Sequence, residues 1–228
     1  MTPSKEVNRS ASRSGYKTWT SAFGRACGIL LDAIVRRLAL ARVNPNVLTF
    51  LGLVVNTIAA FLFGYANADN QARLFCYAGL VIIGSGFFDL VDGAVARASN
   101  RVTRFGGFFD SVIDRYSDAS QFFGLLVYYA RAGRFFYIGL TAFVMISAIM
   151  VSYTRARAES LIGSCRVGFM ERPERLVLVI IGALFNRMAP VLWIIALLST
   201  ITVIHRIRYT WTRTELVDRA ATNPVQAA

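Results

Sequence analysis

Long apolar stretches separated by short polar or charged segments follow one another through most of this chain. A bilayer core about 30 Å thick requires roughly 20 helical residues, and most of these stretches reach that length. The pattern therefore predicts an all-α, polytopic membrane protein with six transmembrane helices. The predicted spans are 47–66, 73–95, 105–130, 134–157, 174–188 and 189–207.

The segment before the first span has a different pattern. At 18–42, apolar residues such as Trp19 and Ile34 recur at roughly helical spacing, with arginines among them. Such a helix can lie in the headgroup layer, although a helix packed on the domain would have the same pattern. We predict an N-terminal amphipathic interfacial helix here. The chain then divides into a disordered basic tail at 1–17, a membrane domain at 18–211 and a C-terminal tail at 212–228.

Charge supports the membrane interpretation and gives it a direction. The net charge is +12, but 55% of the residues are hydrophobic and the basic residues flank apolar spans, which argues against a nucleic-acid partner. With both termini in the cytoplasm, the segments on that side hold 20 of the 25 Lys and Arg residues. This bias follows the positive-inside rule. We predict a multi-pass protein of the cell membrane with its termini and active site in the cytoplasm.

Acidic residues within the second and third spans are the main chemical signal. Asp89 and Asp92 are three residues apart, so they share a helix face. Asp110, Asp114 and Asp118 follow one another in steps of four and also share a face. A carboxylate at the bilayer centre costs about 3 kcal/mol, so such groups require a cation, a partner or water. Where the two faces meet, four carboxylates suit Mg²⁺ or Mn²⁺ and have room for two ions.

An ion-paired helix interface is the structural alternative to a metal site. In that interpretation nearby arginines neutralise the carboxylates, and for Asp118 taken alone it stays an open possibility. The arginines in question are Arg97, Arg101, Arg104 and Arg115.

The motif residues resemble a known family. The pattern is Asp89-x-x-Asp92-Gly93-x-x-Ala96-Arg97, eight residues, then Gly106-x-x-x-Asp110-x-x-x-Asp114. It matches the signature of the CDP-alcohol phosphotransferases at every fixed position, and the resemblance extends over roughly 20–211.

The resemblance implies roles for individual residues. Asp89, Asp92, Asp110 and Asp114 would bind metal, with two Mg²⁺ ions expected and Mn²⁺ as an alternative, and Asp114 would also be the catalytic base.

The donor would be CDP-diacylglycerol, and the enzyme would be a homodimer in the lipid bilayer. Asn46 would contact the nucleotide, although it could instead cap the first span. The residues implied in binding the CDP-lipid are Asn46, Val47, Leu48, Thr49, Asp92, Gly93, Ala96, Arg97, Thr103 and Gly106.

A second group of arginines concerns the acceptor. Arg155, Arg157, Arg175 and Arg206 lie at predicted cytoplasmic helix ends, and arginine suits bidentate binding of phosphate. The segments Arg-Ala-Arg-Ala-Glu at 155–159 and Glu-Arg-Pro-Glu-Arg at 171–175 resemble those of prokaryotic phosphatidylinositol phosphate synthases. These four residues would then bind the phosphate of a phosphorylated polyol.

The predicted reaction is transfer of a phosphatidyl group from CDP-diacylglycerol to inositol phosphate, with release of CMP. Glycerol phosphate or another alcohol would be the acceptor in the main alternative, a phosphatidylglycerophosphate synthase or a related transferase. A cation or phosphate transporter is a third possibility, because six spans alone do not define a function. Positive-inside topology or attraction to anionic lipids would also explain basic helix ends.

Overall fold

The computed structural model describes residues 44–99 and 102–222, together with Val35 and Arg37. The fold in this part of the chain is all-helical. Its helices are α1 (Pro45–Tyr65), α2 (Gln71–Ala98), α3 (Arg104–Arg131), α4 (Phe135–Ile162), α5 (Arg172–Leu184) and α6 (Met188–Thr222).

Local sequence signals define several helix ends. Helix α1 begins at Pro45, and the Asn44 side chain accepts a hydrogen bond from the Asn46 backbone N–H at 3.0 Å. The Thr103 hydroxyl caps α3 in the same way, accepting from the Gly106 N–H at 2.9 Å. Helix α4 ends where Gly163 adopts a left-handed conformation with φ of +76°, which glycine tolerates without a Cβ clash.

Two groups of helices pack around a common core. Helix α1 packs against α2 and α3, while α6 packs against α4, and α5 contacts both α2 and α6. A buried polar chain links the first group: the Gln121 amide donates to Asn56 at 2.6 Å, and the Asn56 amide donates to Ser85. These contacts hold α1, α2 and α3 together without exposing polar atoms to apolar surroundings.

Four helices are long and apolar enough to cross a membrane, namely α1, α2, α4 and residues Met188–Leu216 of α6. Large apolar side chains such as Phe61 and Phe135 point outward, 72% and 83% exposed. The chain is therefore a helical membrane protein. The other two helices differ from these four, since α3 has four charged residues from Asp110 to Asp118 and α5 has only 13 residues.

The helix positions agree with the sequence analysis to within a few residues, except at one end. Helix α6 continues to Thr222, past the predicted end at 207, so the start of the predicted C-terminal tail is helical. The amphipathic helix predicted at 18–42 lies outside the described residues, apart from Val35 and Arg37.

Helices α1 and α3 lie very close together at Gly124. A Cβ on this residue would lie 2.3 Å from the Ala60 carbonyl oxygen, which belongs to the backbone and cannot rotate away. We expect Gly124→Ala to lower stability by about 1–3 kcal/mol through overpacking. Thermal unfolding in detergent would reveal a lower midpoint. Gly139→Ala is the matched control, because nothing lies within 4 Å of its Cβ position. A midpoint equal to that of the control would contradict the close packing.

Candidate active site

The motif aspartates lie on α2 and α3, two helices that both pack against α1. The Asp110 carboxylate is within electrostatic range of Asp89, and Asp92 is within range of both. Asp114 likewise interacts with Asp89 and Asp110. The i, i+3 and i, i+4 spacings therefore place the four carboxylates in one neighbourhood, each within electrostatic range of Asp89 or Asp110.

A guanidinium group from α5 lies among these carboxylates. Arg172 Nη1 is 2.7 Å from Asp89 Oδ2 and 2.8 Å from Asp114 Oδ1, so one arginine bridges α2 and α3. Its Nε lies 3.8 Å from Asp118 Oδ1. Among the described residues, no set of three carboxylate, imidazole or thiol side chains lies close enough together to hold a metal ion. The positive charge at the centre of the cluster is that of Arg172.

Asp118 has a different partner from the motif aspartates. It forms a short, buried ion pair with Arg175, whose side chain is 2% exposed. Asp118 is thus ion-paired in the structure, which is the alternative left open for it from the sequence. The partner of Asp118 is not one of the arginines considered from the sequence, because it comes from α5. Of those considered, Arg115 lies near the cluster, with its Nη1 4.0 Å from Asp114.

One cavity of about 290 Å³ lies between α1, the end of α2 and the start of α3. The Thr103-capped N-terminus of α3 opens onto it, and helix N-termini favour anions such as phosphate. Residues predicted to contact the CDP-lipid gather here. Those lining the cavity are Asn46, Thr49, Asp92, Gly93, Ala96, Arg97, Thr103 and Gly106, with Asp110 beside them.

Some of the residues predicted to contact the CDP-lipid line this cavity and others do not. Thr49 donates a 2.6 Å hydrogen bond to Asp92, which fixes that carboxylate at the cavity wall. Asn44, rather than Asn46, caps α1, so the Asn46 side chain is free of the capping role. Val47 and Leu48 were also predicted to bind the CDP-lipid, but neither lines the cavity: Val47 is 51% exposed and Leu48 is buried.

A second cavity, of about 120 Å³, lies on the other side of the aspartates. Asp114 and Asp118 form one wall, and four arginines from α3, α4, α5 and α6 line the cavity together with Glu171, Val151, Ser152 and Pro173. The arginines lining it are Arg115, Arg155, Arg172 and Arg206. Asp110 faces the first cavity and Asp114 the second, so the aspartate cluster separates an anion-binding helix terminus from an arginine-lined cavity.

The four arginines predicted to bind the acceptor are not all together. Arg155 and Arg206 line the second cavity, whereas Arg175 is buried behind its wall. Arg157 faces a separate groove beside Trp211, between α4 and α6.

Two residues at this site, Glu171 and Arg172, had no role in the sequence prediction. Glu171 accepts hydrogen bonds from Arg155 Nη1 at 2.8 Å and from Arg206 Nη2 at 3.0 Å.

Known proteins share both the sequence and the fold. Archaetidylinositol phosphate synthase of Pyrococcus horikoshii is 38% identical over 178 residues, covering 78% of this chain and 88% of that protein. Phosphatidylinositol phosphate synthase of Mycobacterium tuberculosis is 34% identical over 212 residues, covering 88% of this chain and 93% of that protein.

Crystal structures of the latter enzyme superpose on this fold. The form with CDP-DAG bound has a TM-score of 0.71 at 31% identity, covering 80% of this chain and 94% of the other. The form in complex with manganese and citrate has a TM-score of 0.69 at 31% identity, covering 80% and 89%.

The family model named CDP-alcohol phosphatidyltransferase matches residues 42–205, which include all four motif aspartates and every residue lining the two cavities except Arg206. This chain is therefore a transferase that belongs to the CDP-alcohol phosphatidyltransferase family.

Proposed function

We propose that this enzyme transfers the phosphatidyl group of CDP-diacylglycerol to inositol phosphate and releases CMP. One observation carries the proposal: an aspartate cluster lies between a cavity lined by the CDP-alcohol motif and a cavity lined by arginines. A donor and an anionic acceptor bound on either side would have their reacting groups at the aspartates. The related synthases, whose names share inositol phosphate, support this choice of acceptor.

The first cavity is the proposed donor site. Arg97 supplies a guanidinium for the pyrophosphate, and the α3 N-terminus adds its dipole. Gly93 and Gly106 leave room there, since a Cβ at these positions would approach Arg97 and Thr103. Asn46 and Thr49 border the nucleotide. The crystal structure of the Mycobacterium tuberculosis relative with CDP-DAG bound supports this assignment.

The chemistry of the aspartate cluster fits a divalent metal. Asp89, Asp92, Asp110 and Asp114 offer carboxylate oxygens from two helices, the ligands that Mg²⁺ and Mn²⁺ prefer. The bridging position of Arg172, a cation held between two of these carboxylates, supports the assignment. We propose two Mg²⁺ ions, with Mn²⁺ able to replace them. Bound metal would stabilise the negative charge that develops on the pyrophosphate oxygens and on CMP.

Asp114 is the proposed catalytic base. It lines the arginine cavity, so its carboxylate faces the side from which the acceptor would approach. It would take the proton of the acceptor hydroxyl as that oxygen forms a bond to the phosphorus carrying diacylglycerol. The bond from that phosphorus to the phosphate of CMP breaks, and CMP leaves with the electron pair. No covalent enzyme intermediate is required.

The arginine cavity is the proposed acceptor site, with Arg155 and Arg206 as phosphate ligands. Arg175 lies behind the wall, where Asp118 balances its charge and its Nε and Nη1 have no hydrogen-bond partner among the described residues. Arg157 lies outside this cavity and is left out of the site. Guanidinium groups that hold a phosphate orient the acceptor without chemistry of their own.

The proposal includes the membrane arrangement. At about 1.5 Å per residue, the 28 residues of α3 are long enough to cross the bilayer, and its carboxylates have cationic partners. Helix α5, with 13 residues, would complete a sixth, short span. The excess of Lys and Arg on one side supports a cytoplasmic active site and cytoplasmic termini in the cell membrane. We also propose a homodimer.

A competition experiment tests the acceptor. Equal concentrations of inositol phosphate, free inositol, glycerol phosphate and serine are offered to the purified enzyme with CDP-diacylglycerol and Mg²⁺, and the products are separated. We expect inositol phosphate to be preferred, because an uncharged acceptor leaves the arginines without a counter-ion. A preference for inositol or serine would contradict the phosphate site. A preference for glycerol phosphate would retain the site and change the substrate.

A matched pair of variants tests which arginine binds the acceptor. Arg155→Gln is expected to raise KM for inositol phosphate about 10- to 100-fold, the loss of one charge-assisted contact, with little change in KM for CDP-diacylglycerol. Arg157→Gln removes the same charge two residues away, in the separate groove, and should behave like the parent enzyme. Equal effects of the two changes would indicate a diffuse electrostatic contribution instead of a contact.

A further inference from the structure

Two consecutive residues at the start of α5 occupy the places that the proposed ligands would take. The Glu171 carboxylate lies between two arginines of the acceptor cavity, Arg155 and Arg206, at 2.8 and 3.0 Å. The next residue, Arg172, places its guanidinium between Asp89 and Asp114. An anion thus lies where acceptor phosphate would bind, and a cation lies where metal would bind.

The backbone of this segment is firmly held, which leaves the side chains as the movable part. Met170 is fully buried, and its N–H donates to Thr202 on α6 at 3.1 Å. The Glu171 N–H donates to the Glu174 side chain at 3.1 Å. The Glu171 and Arg172 side chains are 37% and 21% exposed, so both are partly open to solvent.

We propose that Glu171 and Arg172 are internal substitutes for the acceptor phosphate and the metal, and that they couple the binding of the two. The inference rests on the proposed function. Metal would displace Arg172 from the aspartates. Because Arg172 also lines the acceptor cavity, its released guanidinium can then pair with the acceptor phosphate. The phosphate in turn replaces Glu171, so each ligand strengthens binding of the other.

The metal half is tested by titrating the lipid-free, acceptor-free protein with Mn²⁺ and following free Mn²⁺ by electron paramagnetic resonance. Arg172→Gln removes the competing cation and should tighten Mn²⁺ binding about 10- to 100-fold. Arg166→Gln is the control, because it makes the same change at an exposed residue of the preceding connection. Unchanged Mn²⁺ affinity in Arg172→Gln would overturn the proposal.

Loss of Arg172 also leaves the carboxylates to repel one another in the absence of metal. We therefore expect Mn²⁺ to raise the unfolding temperature of Arg172→Gln more than that of the parent. If the variant folds only with Mn²⁺ present, unfolding after chelation gives the same answer. An equal rise in unfolding temperature in both proteins would contradict the proposal that Arg172 stands in for the metal.

The acceptor half is measured by calorimetric titration with inositol phosphate in the absence of CDP-diacylglycerol, so no turnover is involved. Glu171→Gln should bind it about tenfold more tightly than the parent. In the parent, Mn²⁺ should tighten inositol phosphate binding on the order of tenfold. Arg172→Gln should lose most of this coupling.

These titrations distinguish failure of the inference from failure of the proposed function. Weaker inositol phosphate binding in Glu171→Gln, or full coupling retained in Arg172→Gln, would overturn the inference while the acceptor stands. If the parent and Glu171→Gln both bind no inositol phosphate, the proposed acceptor is wrong. The same titrations with inorganic phosphate then test the coupling, and its absence there would reject the inference as well.

Discussion

Asp114→Asn is expected to reduce CMP release about 10²- to 10⁴-fold, the usual contribution of a general base. Asparagine has nearly the same size as aspartate, so helix α3 should remain intact. The amide cannot accept the proton of the acceptor hydroxyl, and it also removes one negative charge from the proposed metal site. Both losses occur at the carboxylate that lines the acceptor cavity.

The measurement is CMP release at saturating CDP-diacylglycerol, inositol phosphate and Mg²⁺. Asp69→Asn is a suitable control, since it makes the same chemical change in the exposed turn between α1 and α2. Asp89→Asn separates the two roles, because excess metal should partly restore a variant that has lost a ligand. Excess metal should not restore Asp114→Asn. Near-normal turnover in Asp114→Asn would remove this residue from the mechanism.

The helices and the meeting of the aspartates were predictable because both depend on local spacing. Apolar length defines a membrane helix, and residues three or four apart share a face whatever the rest of the chain does. Asp89 and Asp110 lie on two helices that both pack against α1, and this shared partner limits how far apart their faces can be. Asp110 accordingly lies near enough to Asp89 to interact with it electrostatically, while a metal site at these carboxylates stays a prediction.

The partners of the carboxylates were not predictable from spacing. The partners considered from the sequence were arginines close to the motif along the chain. The paired cations are instead Arg172 and Arg175, more than 50 residues from Asp114 and Asp118. Their positions depend on how α5 packs against α2, a long-range contact with no local signal. Glu171 was missed because only cations were sought around the acceptor phosphate.

The separation of Arg155 from Arg157 did have a sequence signal. Residues two apart on an α-helix point about 200° apart, since each residue turns the helix by about 100°. Both residues lie within α4, so they cannot face one narrow cavity. Helical geometry was thus sufficient to divide the predicted arginine group before the packing was known.

Arg175→Met is expected to destabilise the protein by about 3–5 kcal/mol, because it leaves the Asp118 carboxylate buried without its counter-ion. The two side chains are 2% and 9% exposed, and the remaining cation near Asp118, Arg172, is 3.8 Å away at its Nε. For a chain of this size the loss corresponds to a fall in unfolding temperature on the order of 10 °C. Arg166→Met removes the same charge from an exposed site and should unfold at nearly the parent temperature.

A double-variant cycle shows whether the loss comes from the pair. Asp118→Leu alone should also be destabilising, since it leaves a buried guanidinium unpaired. The combination Arg175→Met, Asp118→Leu removes both charges and should recover much of the stability, as buried ion pairs often tolerate apolar replacement. Thermal unfolding in detergent, followed by tryptophan fluorescence, gives all four midpoints. Additive losses would mean that Arg175 and Asp118 contribute independently.

The same double variant decides whether Arg175 also binds the acceptor. Arg155 and Arg206 line the acceptor cavity, whereas Arg175 lies behind its wall and is bound to Asp118. Removing both members of the pair leaves the net charge beside the cavity unchanged. We therefore expect the double variant to have a KM for inositol phosphate close to that of the parent, while Arg155→Gln raises it. A high KM in a stable double variant would instead mean that Arg175 turns from Asp118 to the acceptor phosphate during the reaction.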